Sequence, residues 1–253
     1  MSRTHLVIPD AHATPEESNR RAEWIGHLIN DVKPDVVVNL GDGADMASLC
    51  SYDKNTKNFQ GRSYKKDIEC FHDFQDRLWA VVRRQKKRSP ETVYLIGNHE
   101  QRIERACSIQ PELEGTIDYG DLNLSEWYNK VVWYEGSTPG TIEIDGVVYA
   151  HYLVSGVSGR PISSENMGAA LINRCYNSVT VGHNHTLDFA VRTRRAGNKI
   201  LGLCAGVCQE HSPNFAGAAA NLWWRGVIVK RNVSDGVYDP QFISLDSLKK
   251  EYS

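Results

Sequence analysis

Leu95-Ile96-Gly97-Asn98-His99-Glu100-Gln101-Arg102 is the stretch from which the rest of this chain can be read. An apolar run, Thr92 to Ile96, stops on a glycine and then sets an amide, an imidazole and a carboxylate side by side. Such a row costs free energy on burial unless something organises it. The Asn carbonyl oxygen suits a hard or borderline cation. A His beside it can stand outside the metal shell and handle a proton. Four other places repeat the pattern of an apolar run ending on polar residues: Asp10-Ala11-His12, Gly41-Asp42, His151 and Gly182-His183-Asn184-His185.

Upstream of this stretch, His5 to Ile8 reads as a strand stopped by Pro9, with Asp10 and His12 pointing the same way just past its end. Thr14-Pro15-Glu16-Glu17 reads as a helix start, with Thr14 as N-cap and Glu17 as its capping-box partner. Trp24, Ile25, Leu28, Ile29 and Val32 recur at helical spacing, and Lys33-Pro34 closes the segment. Asp35 to Leu40 follows as an apolar strand, which completes a βαβ unit. Residues 47–62 are polar and irregular, an expected insertion or lid. Ser63 to Arg88 is a long helical pattern that closes on Arg83, Arg84, Lys86, Lys87 and Arg88. That basic run reads either as a solvated helix end complementing the macrodipole or as a phosphate-backbone contact.

Downstream, residues 107–130 are a weakly patterned connection. Thr141 to Ala150 alternates around Asp145-Gly146 as a hairpin that ends at His151. Glu165 to Cys175 reads as a helix and Ser178 to Val181 as a strand. Phe189 to Arg194 and Lys199 to Cys204 are two more strands. A last hairpin, Trp223 to Lys230 and Val237 to Leu245, turns at Asp235-Gly236 within a C-terminal region 222–246. A βαβ-like front and a hairpin-rich back predict an α/β (α+β) chain of two packed mixed sheets with helices outside. One domain is expected over residues 1–253.

Composition bounds the function. The chain has 253 residues and a net charge of −2, so any nucleic-acid contact has to come from a local patch. The six cysteines lack zinc-ribbon spacing and read as reduced thiols of a cytoplasmic protein. No apolar run approaches the ~18 residues of a membrane span, and no leader pattern is visible.

Pooled, the strand ends offer two carboxylates (Asp10, Asp42), one amide (Asn98) and five imidazoles (His12, His99, His151, His183, His185). Any one of them could be an ordinary turn residue. Together they sit where open α/β sheets place their sites. Carboxylate plus imidazole is a ligand set for manganese, iron, zinc or nickel rather than calcium. There are donors enough for two ions if one carboxylate bridges. Two ions ~3.5–4 Å apart bind a phosphoryl group, acidify a shared water and stabilise the breaking P–O bond.

Taken in order, Asp10-x-His12, Gly41-Asp42, Gly97-Asn98-His99-Glu100, His151 and Gly182-His183-x-His185 resemble the motifs of calcineurin-like metallophosphoesterases. The resemblance spans residues 10–185 and implies a four-layer αββα sandwich with a dinuclear metal site at one edge. It implies that Asp10, His12 and His185 hold one metal, that Asn98, His151 and His183 hold the other, and that Asp42 bridges. His99 would be the general acid, or orient the leaving oxygen, and Asp45 would support it. Glu100 would orient its neighbours. Arg102 resembles the arginine of phosphoprotein phosphatases and is expected either to contact phosphate or to lie on an ordinary helix surface. Tyr152 stands where a glycine is common and would make an aromatic rim that meets substrate. Mn²⁺ is the metal expected in vitro, with Fe, Zn or Ni as alternatives.

The departures narrow the reading. Gly41-Asp42-Gly43-Ala44-Asp45-Met46-Ala47 lacks the arginine that phosphoprotein phosphatases carry here, which weakens phosphoprotein hydrolysis. The layout, with Trp223-Trp224-Arg225-Gly226 opening the last hairpin, is similar to small bacterial and phage members. The expected reaction is hydrolysis of a nucleotide or nucleic-acid phosphodiester by metal-bridging hydroxide. A monoesterase and a catalytically idle metal-binding scaffold are the alternatives.

Overall fold

A computed structural model describes residues 2–85, 89–195 and 197–253. The end of the expected basic run, Lys86 to Arg88, and Ala196 lie outside them. In chain order the front elements are β1 (Arg3–Ile8), α1 (Arg20–Val32), β2 (Val36–Asn39), α2 (Tyr64–Arg83), β3 (Glu91–Leu95), α3 (Arg102–Ile109) and β4 (Lys130–Val132). Then come β5 (Thr141–Ile144), β6 (Val147–Ala150), β7 (Val154–Ser155), β8 (Arg160–Pro161), α4 (Met167–Cys175) and β9 (Ser178–Val181). The chain closes with β10 (Leu187–Thr193), β11 (Lys199–Ala205), β12 (Gly226–Ser234), β13 (Val237–Ser244) and α5 (Leu245–Tyr252).

One sheet runs β13-β12-β1-β2-β3-β4 and the other β10-β11-β9-β6-β5, with β7 and β8 paired apart from both. The period-2 alternation of the strands decides what each face touches. Val7, Val36, Val38, Val93 and Leu95 turn inward against Val147, Tyr149, Leu201 and Leu203 of the second sheet. Leu6, Ile8, Val37 and Tyr94 turn outward onto α1 and α2, where Trp24, Ile25, Leu28, Phe71, Phe74 and Leu78 are buried. Behind the second sheet, Met167 and Leu171 of α4 cover Val179 and Val181. The result is the expected four layers, αββα. Each wholly buried Leu or Phe contributes about 1.5–3 kcal/mol of transfer free energy, so this three-part core sets the stability.

Two local expectations fail. The helix starts at Arg20 with Asn19 before it, not at Pro15, and Thr14 caps nothing. The Thr14 hydroxyl bonds Glu16 instead, and Glu17 N–H donates to the Thr14 carbonyl at 3.1 Å in a turn. Residues 9–18 are pinned by buried Arg21, whose guanidinium donates to the carbonyls of Ala11, Ser18 and Cys208 at 2.7, 2.8 and 2.9 Å. The final hairpin, for its part, stops at Ser244, whose hydroxyl accepts from Ser247 N–H and caps α5. Residues 47–62 form turns and two short 3-10 segments, Ala47–Leu49 and Lys57–Phe59.

Candidate metal centre

β1, β2 and β3 are parallel in one sheet, as are β6 and β9 in the other. Their carboxyl ends therefore deliver Asp10 and His12, Asp42, Asn98 and His99, His151, and His183 and His185 to one edge. The backbone there is unusual. His12, Asp42, His183 and His185 have φ of 43°, 49°, 66° and 61°. Non-glycine residues rarely adopt that region, and it costs of order 1 kcal/mol or more each. The glycines of the motifs have a steric reason: a Cβ on Gly97 would collide with the Asp42 carboxylate, and one on Gly182 with that of Asp10.

The side chains converge on three overlapping triads: Asp10, His12 and His185; Asp42, His151 and His183; and, joining these two, His12, Asp42 and His99. In each triad the ligand atoms all lie within 4.8 Å of one another. His12 Nε2 is 3.2 Å from His185 Nε2 and 3.9 Å from Asp42 Oδ2, which places Asp42 between the triads. His151 Nε2 is 3.0 Å from Asn98 Oδ1 and 3.2 Å from Asp42 Oδ2. The seven predicted ligands are thus brought together.

These groups fit cations better than they fit each other. His151 Nδ1 is 2.9 Å from the Leu40 carbonyl, so that nitrogen carries the proton and Nε2 presents its lone pair to two oxygens. Asp10 is wholly buried, yet its Oδ1 has no hydrogen-bond partner. Acceptors facing acceptors in a dry site require a proton or a cation between them. The pKa directions say the same. Burial opposes the charged His151 ring, but Asp42 outweighs it and lifts the pKa to about 9. His183, buried and next to His151, falls to about 4. Burial would raise the Asp42 carboxyl, but His151 and His99 hold it well below the usual range.

Around the triads, Asp45 touches two histidines: its Oδ1 lies 3.1 Å from His12 Nδ1 and 3.3 Å from His99 Nδ1. The expected His99 partner is therefore also a support of His12. His99 Nδ1 is 2.6 Å from the Asp45 carbonyl, and its Nε2 is 3.8 Å from Asp42 Oδ2. Arg102 donates from Nη1 to the carbonyls of Asp45 and Met46 at 2.9 and 3.2 Å, and its Nη2 lies 3.1 Å from His99 Nε2. Burial and Arg102 disfavour a charged His99, whereas Asp42 and Asp45 favour it and raise its pKa overall. Buried Glu100 accepts from the N–H groups of Asp42, Ala44 and Gly97 and from Tyr94 Oη, all at 2.9–3.0 Å. That carboxylate fixes the Gly41–Asp42 and Gly97–His99 loops against each other.

Tyr152 lies at the rim, its ring 4.8 Å from that of His183. Trp223 meets His185 edge-on at 4.4 Å, so the start of the last hairpin also borders the centre. Sequence reasoning missed Arg21 and Tyr94, which hold the loops, and Tyr134, which lines the cavity next to Asn98. Only Tyr94 left a trace, as a polar hydroxyl inside an apolar strand. Of the described basic residues, Arg83 pairs with Glu126 at 3.3 Å. Arg192 to Arg195 lie at the far end of β10, about 20 Å along the strand from His185.

No family model and no curated protein matches the chain. Among solved structures, it is similar to YfcE, a phosphoesterase from E. coli, at 14% identity and a TM-score of 0.37, over 95% of this chain and 100% of that one. It is also similar to TT1561 of Thermus thermophilus, at 10% identity and a TM-score of 0.38, over 96% of this chain and 99% of that one. At such identities and scores neither likeness bears on what this chain does. None of its helices is long and apolar enough, among the described residues, to cross a membrane.

Proposed function

We propose that this chain is a two-metal phosphoesterase whose substrate is a phosphodiester of a nucleotide or nucleic acid. The observation that carries the reading is the pair of carboxylate–imidazole triads with Asp42 between them. Asp10, His12 and His185 would hold one divalent cation, Asn98, His151 and His183 the other, and Asp42 both. When bound, such a pair supplies Lewis acidity and lowers the pKa of water.

The remaining work falls to the chain. His99 lies between carboxylates that favour its proton and an arginine that opposes it, a balance suited to handing a proton to a leaving alkoxide. With Nδ1–H held by the Asp45 carbonyl, Nε2 is the nitrogen left for the substrate; it accepts from Arg102 Nη2 at 3.1 Å and would have to take up a proton before giving one to a leaving oxygen. Asp45 and Arg102 position that ring. Arg102, expected either to contact phosphate or to lie on an ordinary helix surface, has Nη1 committed to two carbonyls and Nη2 beside His99, so it has little left with which to grip a dianion, which favours the diester over the monoester.

The test is hydrolysis of matched bis- and mono-p-nitrophenyl phosphate with Mn²⁺ and with EDTA. Diester turnover that needs Mn²⁺ and disappears in EDTA is expected. Turnover of the monoester alone would replace the diesterase with a monoesterase. No turnover of either, with two metals bound, would leave a metal-binding scaffold.

A further inference from the structure

Two cavities of opposite character border the centre, one at Asn98 and one at Asp45. The first, of about 440 Å³, adjoins Asn98 and is lined by Arg102, Arg105 and the tyrosines Tyr52, Tyr134 and Tyr152, with no carboxylate in its wall among the described residues. Arg102 and Arg105 are neighbours on one face of α3 and continue into an adjoining hollow that also holds Lys54. Lys54 Nζ is steadied there by Gln110 at 3.1 Å. The second cavity, of about 420 Å³, adjoins Asp45 and carries Glu16, Glu17, Asp45 and Asp53 against the single arginine Arg62. Arg62 is already paired with Asp53 at 2.8 Å.

A phosphate held at the centre has one substituent on each side. On the Asn98 side, a further phosphate would meet Arg105, with the Arg102 charge behind it, and a base would meet tyrosine faces. On the Asp45 side, a further phosphate would meet carboxylates, and like charges brought together this closely are excluded. A strand interior carries phosphates on both sides of every linkage. We infer, resting on the diesterase reading above, that the substrate has further negative charge on one side only: a short nucleotide or the end of a strand, not its interior. Arg105 is the specificity-determining residue, because it meets the flanking phosphate and not the scissile one.

The experiment measures Mn²⁺-supported kcat/KM on dithymidylate with no terminal phosphate, with a 5′-phosphate and with a 3′-phosphate, beside bis-p-nitrophenyl phosphate. One phosphorylated form is expected to exceed the unphosphorylated one by about tenfold and the other to fall below it. Arg105→Glu is expected to cancel the gain. A closed single-stranded circle is expected to survive while the linear strand of the same sequence is shortened from one end. Equal kcat/KM on all three dinucleotides, or a circle cut as fast as the linear strand, overturns this inference alone. Failure to hydrolyse bis-p-nitrophenyl phosphate overturns the diesterase reading and this inference with it.

Discussion

His5 and His151 are both wholly buried where the two sheets meet, yet their surroundings treat a proton in opposite ways. His5 belongs to a chain of matched donors and acceptors. Lys230 Nζ donates to Tyr149 Oη at 3.2 Å, and Tyr149 Oη donates to His5 Nδ1 at 2.7 Å. His5 Nε2 in turn donates to Asp145 at 2.7 Å. The Lys230 amine also lies 4.3 Å from the ring centres of Tyr149 and Tyr238, and burial pushes its pKa well down. Burial likewise lowers His5 to about 4, so its ring is neutral at pH 7. His151, whose lone pair faces an amide oxygen and a carboxylate, is lifted to about 9. One cluster is complete by itself, whereas the other is built around a guest.

The largest expected effect separates the two clusters by their carboxylates. Asp42→Asn should lower metal content below two per chain and Mn²⁺-supported diester hydrolysis by at least about a thousandfold. Asp145→Asn should leave the metal content unchanged. Elemental analysis of the two variants reads both, and metal loss in Asp145→Asn would break the contrast. Next, Glu100→Ala should cost about 3–5 kcal/mol in urea unfolding of the metal-free chain, because three buried N–H groups and a tyrosine hydroxyl lose their acceptor. A loss under 1 kcal/mol would mean that the loops are held by packing.

The third effect depends on pH. His5 has a folded pKa below its unfolded value, so the unfolded chain binds the extra proton between the two. Its contribution is full above about pH 6.5 and is lost as pH falls toward 4, by about 3 kcal/mol at most. His5→Gln should flatten the unfolding free energy over that window by this amount, and an unchanged slope would assign the acid sensitivity elsewhere. Smallest is Lys230→Met, expected to shift stability by about 1 kcal/mol, since a buried amine gives way to an apolar chain of similar length. A loss of 3 kcal/mol or more would show the amine to be indispensable to the closed cluster.

The polar strand ends were legible because each follows an apolar run, and the valines Val36 to Val38 announced a strand buried on both faces. Both hairpin turns were legible in Asp145-Gly146 and Asp235-Gly236, whose φ values are all positive. What stayed hidden depends on partners distant in sequence. β4 has only three residues and gains its identity from pairing with β3. Arg102 is set by carbonyls 56 and 57 positions away. Thr14 misled because a good capping sequence lost to the buried guanidinium of Arg21. α5 was missed although Leu245 and Leu248 had helical spacing, because the strand pattern before it runs on without a break.

The pairing of β1 with β12 joins Leu6 to Val229 and Val7 to Ile228, across most of the chain. On a ribosome adding about 5–20 residues per second, roughly 10–45 s separate the emergence of those partners. During that interval one side of β1 offers bare backbone hydrogen-bonding groups to whatever is near. The strand that leads to Asp10 and His12 thus waits, half paired, for β12, and vectorial synthesis delays any capacity for metal until that hairpin has arrived.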